Sequence, residues 1–152
     1  MSANQPPPPR KIHVLFVCIG NSCRSPMAES IALRDYPDLF DASSAGLAPL
    51  GVVQPMTLET LRANGYPADA LTSKSIRPEV WSHAAVVINM SGYHGPRAFP
   101  RDDWHKIEDW DVNDPFGGRA EDYQRTFEDI RTRIDTLARK LGPPRRASLT
   151  SL

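Results

Sequence analysis

Four apolar runs along the chain have the pattern of β-strands. Residues 12–17 and 84–89 are almost wholly apolar and rich in β-branched side chains, which is typical of strands buried on both faces of a parallel sheet. Residues 40–45 and 105–110 form weaker runs of the same kind. The pattern therefore predicts four strands, of which the first and third are central.

Between and after these runs, apolar residues recur every three or four positions. This spacing predicts helices over residues 26–34, 55–64 and 119–141, and residues 78–81 are predicted to form a short turn. Alternation of strands and helices favours an α/β fold. We expect a three-layer sandwich, in which a doubly wound, four-stranded parallel sheet has helices on both faces.

The two ends of the chain lack apolar periodicity. Residues 1–10 contain four successive prolines and residues 142–152 begin with Gly-Pro-Pro, so we expect both segments to be disordered tails. Residues 11–141 are then a single α/β domain. A chain of 152 residues has room for one domain with a normal core and not for two.

Composition and charge exclude several classes of function. The 18 basic and 18 acidic residues balance, so no overall field would attract nucleic acid or an anionic membrane. No apolar run approaches the roughly 20 residues of a membrane span, and the first strand is not followed by the small-residue cleavage site of a secretory signal. Two cysteines provide no disulfide framework, and a functional thiolate needs a reducing compartment, so we expect a cytoplasmic protein.

The most informative segment lies between the first strand and the first helix. It has the sequence Cys-Ile-Gly-Asn-Ser-Cys-Arg-Ser at residues 18–25, followed by Pro26, which suits the first turn of a helix. Gly20 and Asn21 tolerate positive φ, so the loop can curl until its N–H groups face one centre and bind an oxyanion. The positive end of the helix and the planar guanidinium of Arg24 would add to such a site. The predicted phosphate-binding residues are Ile19, Gly20, Asn21, Ser22, Cys23 and Arg24.

Cys18, at the end of the first strand, would lie on the floor of this loop. A helix N-terminus and a nearby cation favour the thiolate form, which is the nucleophile. The alternatives are a buried structural cysteine, half of a zinc site and a redox pair with Cys23. The four histidines show no ligand spacing, and redox pairs usually have two intervening residues rather than four. We therefore interpret Cys18 as a catalytic nucleophile that needs neither a metal nor another cofactor.

The segment from Cys18 to Pro26, with Met27-Ala28-Glu29 after it, resembles the signature of the low-molecular-weight protein tyrosine phosphatases. These enzymes share their fold with the thioredoxin-coupled arsenate reductases. The resemblance implies the strand order 2-1-3-4 and extends more weakly from about Lys11 to Leu141. The other motifs that carry the resemblance are Ser44-Ala45-Gly46, Asn64-Gly65 and Asp114-Pro115-Phe116-Gly117-Gly118.

The resemblance also implies a mechanism. Cys18 would attack the phosphorus and form a phosphocysteine, while Arg24 and the loop N–H groups hold the phosphate oxygens. Asp114 would protonate the leaving oxygen and then deprotonate the water that hydrolyses the intermediate. Pro115 fixes the backbone after Asp114, so the carboxylate would lie on a stiff turn.

Three further residues receive roles through the family. Ser25 would donate a hydrogen bond to the sulfur of Cys18, although it could also cap the helix. Cys23 would form a reversible disulfide with Cys18, or be a passive loop residue. Ser44 is the expected partner of Asn21 and would support the phosphate loop.

Leu50 and Phe116 are the expected rim of the substrate pocket. Residues 47–53 lack the aromatic residue that many family members have there, and Phe116 replaces a frequent tyrosine, so the wall for phosphotyrosine is incomplete. We expect a phosphotyrosine-containing protein or a small aryl phosphate as substrate, with phosphoarginine and other small phosphoesters left open. The sequence predicts no oligomeric state.

Two other functions compete with this prediction. The arsenate reductases resemble the chain in the compact segment before Trp110 and in residues 110–115, and arsenate fits the same loop. They need further cysteines, however, whereas Met90 follows the third strand and no cysteine follows Cys23. A reductase would therefore depend on an external small thiol. A noncatalytic phosphate-binding module would lack the nucleophile or the acid, but Cys18 and Asp114 are both present.

Overall fold

The structure, a computed structural model, describes residues 10–94 and 98–142. Residues 1–9 and 143–152, which make up nearly all of the two predicted tails, lie outside the described residues. The division into two tails and one domain thus stays a prediction. None of the helices in the described part of the chain is long and apolar enough to cross a membrane.

Four strands form one parallel sheet in the order β2-β1-β3-β4, which confirms the predicted topology. They are β1 (Ile12–Cys18), β2 (Phe40–Gly46), β3 (Val86–Asn89) and β4 (Ile107–Asp109). The last two are shorter than predicted. Residues 105 and 106 belong to a 3₁₀-helix that ends directly before β4, whereas Ala84 caps α3 and Ala85 makes a single hydrogen bond, from its N–H to His13 O, before β3 begins.

In the described part of the chain, four α-helices connect and cover the strands. They are α1 (Arg24–Asp35), α2 (Pro55–Ala63), α3 (Pro78–His83) and α4 (Ala120–Leu141). The prediction of a turn at residues 78–81 was wrong, because Pro78 begins a short helix rather than a turn. Helix α1 begins two residues earlier than predicted. Pro26 is compatible with this start because N–H groups in the first turn have no helical acceptor.

The sheet is covered on both faces, which confirms the three-layer sandwich. Successive side chains of β1 point to opposite faces, so Val14 and Phe16 pack in one core cluster and Leu15 and Val17 in another. This explains why the strand is continuously apolar. Helices α1, α2 and α4 cover the first face, whereas α3 and the 3₁₀-helix Arg101–Lys106 cover the second.

The carboxyl ends of all four strands meet at one edge of the sheet, because the strands are parallel. Cys18 ends β1 there, directly opposite Gly46 at the end of β2. Asn89 and Asp109 end the neighbouring strands in register with each other. Ligand sites of doubly wound folds lie at this edge.

Candidate active site

A pocket of about 210 Å³ opens at this edge of the sheet. Cys18 lies at the end of β1, and Arg24 lies in the first turn of α1. Most of the predicted site residues line the pocket. Of the residues that line it, only Ala48 was not predicted. The lining consists of Cys18, Ile19, Gly20, Ser22, Cys23, Arg24, Ala48, Leu50, Asp114 and Phe116.

The carbonyl groups of the loop after β1 are hydrogen-bonded to other segments of the chain. Those of residues 18–20 accept hydrogen bonds of 2.8–3.1 Å from N–H groups in the segment after β2. The carbonyl of Ser22 accepts from Gln54 N at 3.0 Å and from Thr57 Oγ1 at 2.9 Å. In a trans peptide the next N–H points opposite to the carbonyl, so we infer that the N–H groups of residues 19, 20, 21 and 23 are turned towards the pocket. Such a cluster of donors suits an oxyanion.

Asn21 gives the loop its curvature. It has a φ of 49°, whereas Gly20, which also tolerates positive φ, does not adopt it. The Asn21 amide donates to Ser25 Oγ at 2.7 Å and to Ser44 Oγ at 3.0 Å, and accepts from Lys74 N at 2.9 Å. The structure thus brings Ser44 and Asn21 together. The Asn21 side chain is fully buried behind the loop and does not line the pocket.

The Cys18 thiol is in contact with the Ser25 hydroxyl. Their Sγ and Oγ atoms are 2.9 Å apart, and only 3% of Cys18 is exposed. Ser25 Oγ accepts from Asn21, and its own hydrogen can be donated to the sulfur at 2.9 Å or to Ala45 O at 3.5 Å, of which the sulfur is the nearer; a thiolate at Cys18 can only accept. Ser25 is the second residue of α1, and Cys23 precedes the helix as its N-cap. The helix-cap alternative for Ser25 is therefore wrong.

The guanidinium of Arg24 is buried and oriented by two backbone carbonyls. Its Nη1 donates to Met90 O at 2.5 Å and to Val112 O at 3.2 Å. Its Nη2 lies 3.5 Å from Asp114 Oδ2. Nε is buried and has no hydrogen-bond partner among the described residues. The side chain therefore has a fixed direction and an unused donor, while its position in the pocket lining suits the oxygens of an anion.

Asp114 lies at the mouth of the pocket. Its side chain is 47% exposed, and Oδ1 accepts a hydrogen bond from Phe116 N at 3.1 Å. That bond closes a local turn around the buried Pro115. The half-exposed side chains of Leu50 and Phe116 also line the pocket, and their role as a substrate rim stays a prediction.

Cys23 has different polar neighbours from Cys18, although both cysteines belong to the larger core cluster. The Cys23 sulfur lies 3.7 Å from Tyr123 Oη and 3.8 Å from Ser22 Oγ. Burial raises the pKa of the Cys23 thiol, although hydrogen bonds with Thr57, Tyr123 and Ser22 act in the opposite direction. Both cysteines are free thiols in this structure. A thiol with a raised pKa is a poorer nucleophile at neutral pH than an ordinary cysteine.

Two residues that support the loop were quoted in the motifs without a role. Glu29 accepts a hydrogen bond of 2.5 Å from Ser44 Oγ, which extends the polar network behind the loop. Gly46 is required by close packing, since a Cβ atom there would lie 2.6 Å from Ile19 O. The sequence signals were an acidic residue inside the predicted first helix and a glycine directly after the predicted second strand.

Glu29→Gln is expected to keep or increase the free energy of unfolding at neutral pH. Burial raises the pKa of Glu29 above its ordinary value of 4.5, despite opposing effects of Ser44 and Lys74. The folded protein therefore binds this proton more tightly than the unfolded chain, and stability falls as pH rises through the window above 4.5. Glutamine avoids that loss and still accepts from Ser44.

Urea unfolding of the wild type and of Glu29→Gln should show the difference in unfolding free energy at neutral pH, and the difference should disappear below about pH 4. A glutamine variant clearly less stable at neutral pH would contradict this.

A family model for low molecular weight phosphotyrosine protein phosphatases matches residues 13–147. The chain belongs to this family. The matched residues include the loop after β1, Arg24 and the turn that contains Asp114. The predicted family is thereby confirmed, and phosphatases and arsenate reductases both occur among its relatives.

Three relatives show the range of this phosphatase family. A protein-arginine-phosphatase from Bacillus subtilis is 30% identical over 149 residues, covering 88% of this chain and 99% of that protein. An arsenate reductase from Bacillus licheniformis is 30% identical over 131 residues, covering 82% and 94%. The crystal structure of a low molecular weight protein tyrosine phosphatase from T. tengcongensis has a TM-score of 0.77 at 31% identity, covering 86% and 100%. The family therefore fixes the fold and the type of loop but not the substrate.

Proposed function

We propose that the protein is a cysteine-dependent phosphatase that hydrolyses phosphotyrosine-type phosphoesters through a phosphocysteine intermediate. One observation carries the proposal. The Cys18 sulfur, hydrogen-bonded to Ser25, lies in the same pocket as inward-facing loop N–H groups, the Arg24 guanidinium and the Asp114 carboxylate. These are a nucleophile, an anion site and an acid for one reaction.

In the first step, Cys18 attacks the phosphorus of the bound monoester. A sulfur–phosphorus bond forms while the bond from phosphorus to the leaving oxygen breaks. The loop N–H groups and Arg24 hold the three remaining oxygens as charge develops on them. Asp114 gives its proton to the leaving oxygen. We assign it this role because its carboxylate reaches the pocket mouth and also contacts Arg24.

In the second step, water attacks the phosphocysteine. Asp114, now a carboxylate, accepts a proton from the water, and the sulfur–phosphorus bond breaks to release phosphate. The Ser25 hydroxyl donates to the departing thiolate of Cys18 and lowers its cost as a leaving group. Acid–base catalysis of this kind contributes about 10²–10⁴-fold to the rate. No step requires a metal.

The rim supports an aryl group as the part of the substrate outside the phosphate loop. Leu50 and Phe116 present apolar surface at the mouth, against which an aromatic ring can pack. The arginine-phosphatase relative makes phosphoarginine the competing phosphorylated group. We propose that the protein acts in a reducing compartment such as the cytoplasm, where Cys18 stays a thiol. A reversible disulfide with Cys23 remains a prediction, and the raised pKa of the Cys23 thiol would slow its formation.

Arsenate reduction is the second candidate, because the arsenate reductase relative is about as similar as the phosphatase relatives. Met90 follows β3, and no cysteine follows Cys23 in the chain, so a disulfide could not be passed to a third cysteine. A reductase activity would therefore need an external small thiol as the source of both electrons. A noncatalytic phosphate-binding role is the third alternative.

The test is a panel of substrates with one reduced, chelator-treated preparation. We expect turnover of p-nitrophenyl phosphate and of phosphotyrosine peptides, and trapping of a phosphorylated Cys18 by acid quench and mass spectrometry. Faster turnover of phosphoarginine would change the substrate class but keep the mechanism. Arsenite production from arsenate with glutathione, without phosphatase turnover, would favour the reductase. Phosphate binding without any turnover would leave only the binding module.

A further inference from the structure

Three successive backbone carbonyls lead to Asp114, and each accepts a hydrogen bond from a side chain. Asp111 O accepts from Arg133 Nη2 at 3.0 Å, and Val112 O accepts from Arg24 Nη1 at 3.2 Å. Asn113 O accepts from Thr126 Oγ1 at 3.1 Å. This segment lies beyond the end of β4 and is not part of the sheet. Side chains, two of them from α4, therefore determine where the backbone before Asp114 lies.

Thr126 differs from two other helical threonines in where its hydroxyl points. Thr60 in α2 and Thr136 in α4 donate to the carbonyl four residues earlier in their own helix, which is the usual local bond. Thr126 donates instead to the residue directly before Asp114. It is only 4% exposed, so its hydroxyl has little access to water as an alternative partner. A buried hydroxyl that left this bond unmade would lose free energy.

We propose that Thr126 is a positioning residue for Asp114, with Arg133 as its helper in the same helix. The proposal rests on the proposed function, because it assumes that Asp114 is the acid. The Asp114 carboxylate has only two polar contacts in the described residues. One is with Phe116 N in its own turn, and the other is a 3.5 Å contact with Arg24. The distance between the Asp114 carboxylate and Cys18 therefore depends on the position of the backbone to which Thr126 donates.

The consequence is an effect that depends on the leaving group. An acid displaced by about 1 Å can cost on the order of 10²-fold in rate. The loss applies to esters whose leaving oxygen needs a proton, such as phenyl phosphate. The leaving group of dinitrophenyl phosphate, dinitrophenolate, is a stable anion, so hydrolysis of this ester gains little from an acid. A purely structural role for Thr126 would lower both rates alike or change only the amount of folded protein.

The test compares Thr126→Val with Thr126→Ser and with Thr60→Val. Valine has nearly the same shape and lacks the hydroxyl, serine keeps it, and Thr60 is a buried threonine whose hydroxyl bonds within its own helix. For Thr126→Val we expect kcat/KM for phenyl phosphate to fall about tenfold to a hundredfold. The value for dinitrophenyl phosphate should stay within about twofold. Thr126→Ser should recover most of the loss, and Thr60→Val should behave as the wild type. Equal losses on both esters would overturn the proposal.

A second readout separates this proposal from the proposed function. Fast amide exchange, measured by NMR, reports opening of the turn in which Phe116 N–H donates to Asp114. We expect Thr126→Val to speed this exchange by about fivefold or more, since one hydrogen bond contributes on the order of 1 kcal/mol. If the wild-type protein showed no turnover, the proposed phosphatase activity would be refuted. The exchange rate of Phe116 N–H would still show whether Thr126 holds the backbone before Asp114. Unchanged exchange in Thr126→Val would overturn the proposal.

A second variant, at Arg133, tests the same proposal. If Thr126→Val fails to fold, Arg133→Met is the substitute, because it removes the bond to Asp111 O, together with the guanidinium contacts to Trp110 and Asp129. It should show the same selective loss on phenyl phosphate, at several-fold. Absence of that selectivity would overturn the proposal as well.

Discussion

Cys18→Ser is expected to abolish hydrolysis of aryl phosphates, with a loss of about 10⁴-fold or more. The hydroxyl is a far weaker nucleophile than a thiolate and gives a poor leaving group in the second step. Since Cys18 is almost fully buried and serine is similar in size, the loop should remain folded. The variant should therefore still bind phosphate or vanadate. Steady-state kinetics and a binding titration on the same sample measure the two properties.

Cys23→Ser is the matched comparison for this loss. Both cysteines line the pocket, but the Cys23 sulfur contacts Tyr123 Oη, whereas the Cys18 sulfur contacts Ser25 Oγ. Replacing its sulfur should leave turnover easily measurable. Substantial activity in Cys18→Ser, or equal losses in both variants, would contradict a phosphocysteine mechanism.

Asp114→Asn is expected to lower kcat/KM for phenyl phosphate by about 10²–10⁴-fold. Asparagine has the same shape, and its oxygen still accepts from Phe116 N, so the turn should be preserved. It has no proton to give at neutral pH, however. The loss for dinitrophenyl phosphate should be much smaller, because that leaving group departs without a proton. A series of aryl phosphates with leaving groups of increasing basicity gives the dependence directly.

Asp111→Asn is the control for charge near this turn. Its side chain is exposed, and only its backbone carbonyl contacts Arg133. It should retain wild-type rates. If Asp114→Asn loses the same factor with every leaving group, then Asp114 acts through its charge beside Arg24 and is not the acid.

The fold could be predicted from the sequence where consecutive residues of a strand are all buried. Strand β1 is apolar at every position that faces either core cluster, so its run of residues predicts a central strand. The start of α1 was placed too late because Pro26 resembles a first helical residue, while Arg24 and Ser25 carry no helix signal of their own. Helix α3 and strand β4 are short, and tertiary contacts rather than local propensity decide such elements.

The candidate site was predictable where side chains carry the chemistry. Cys18, Arg24 and Asp114 are reactive residue types next to turn residues, so their chemistry shows in the sequence. The bonds from Arg24 to Met90 O and Val112 O could not be predicted, because every residue has a carbonyl and sequence does not say which one is near. Glu29 and Thr126 gave a weaker signal, as polar residues in helix faces that pack against the core.

The bonds of Arg24 also have a consequence for how the chain folds. Its guanidinium is held by carbonyls 66 and 88 residues further along the chain. Contacts of such long range form late, because the entropy of closing a large loop must be lost before they contribute. During synthesis, the phosphate loop emerges first but cannot fix its arginine until residue 112 has left the ribosome. We therefore expect the first appearance of enzymatic turnover during refolding to coincide with completion of the sheet, and a chain that stops before β4 to be inactive.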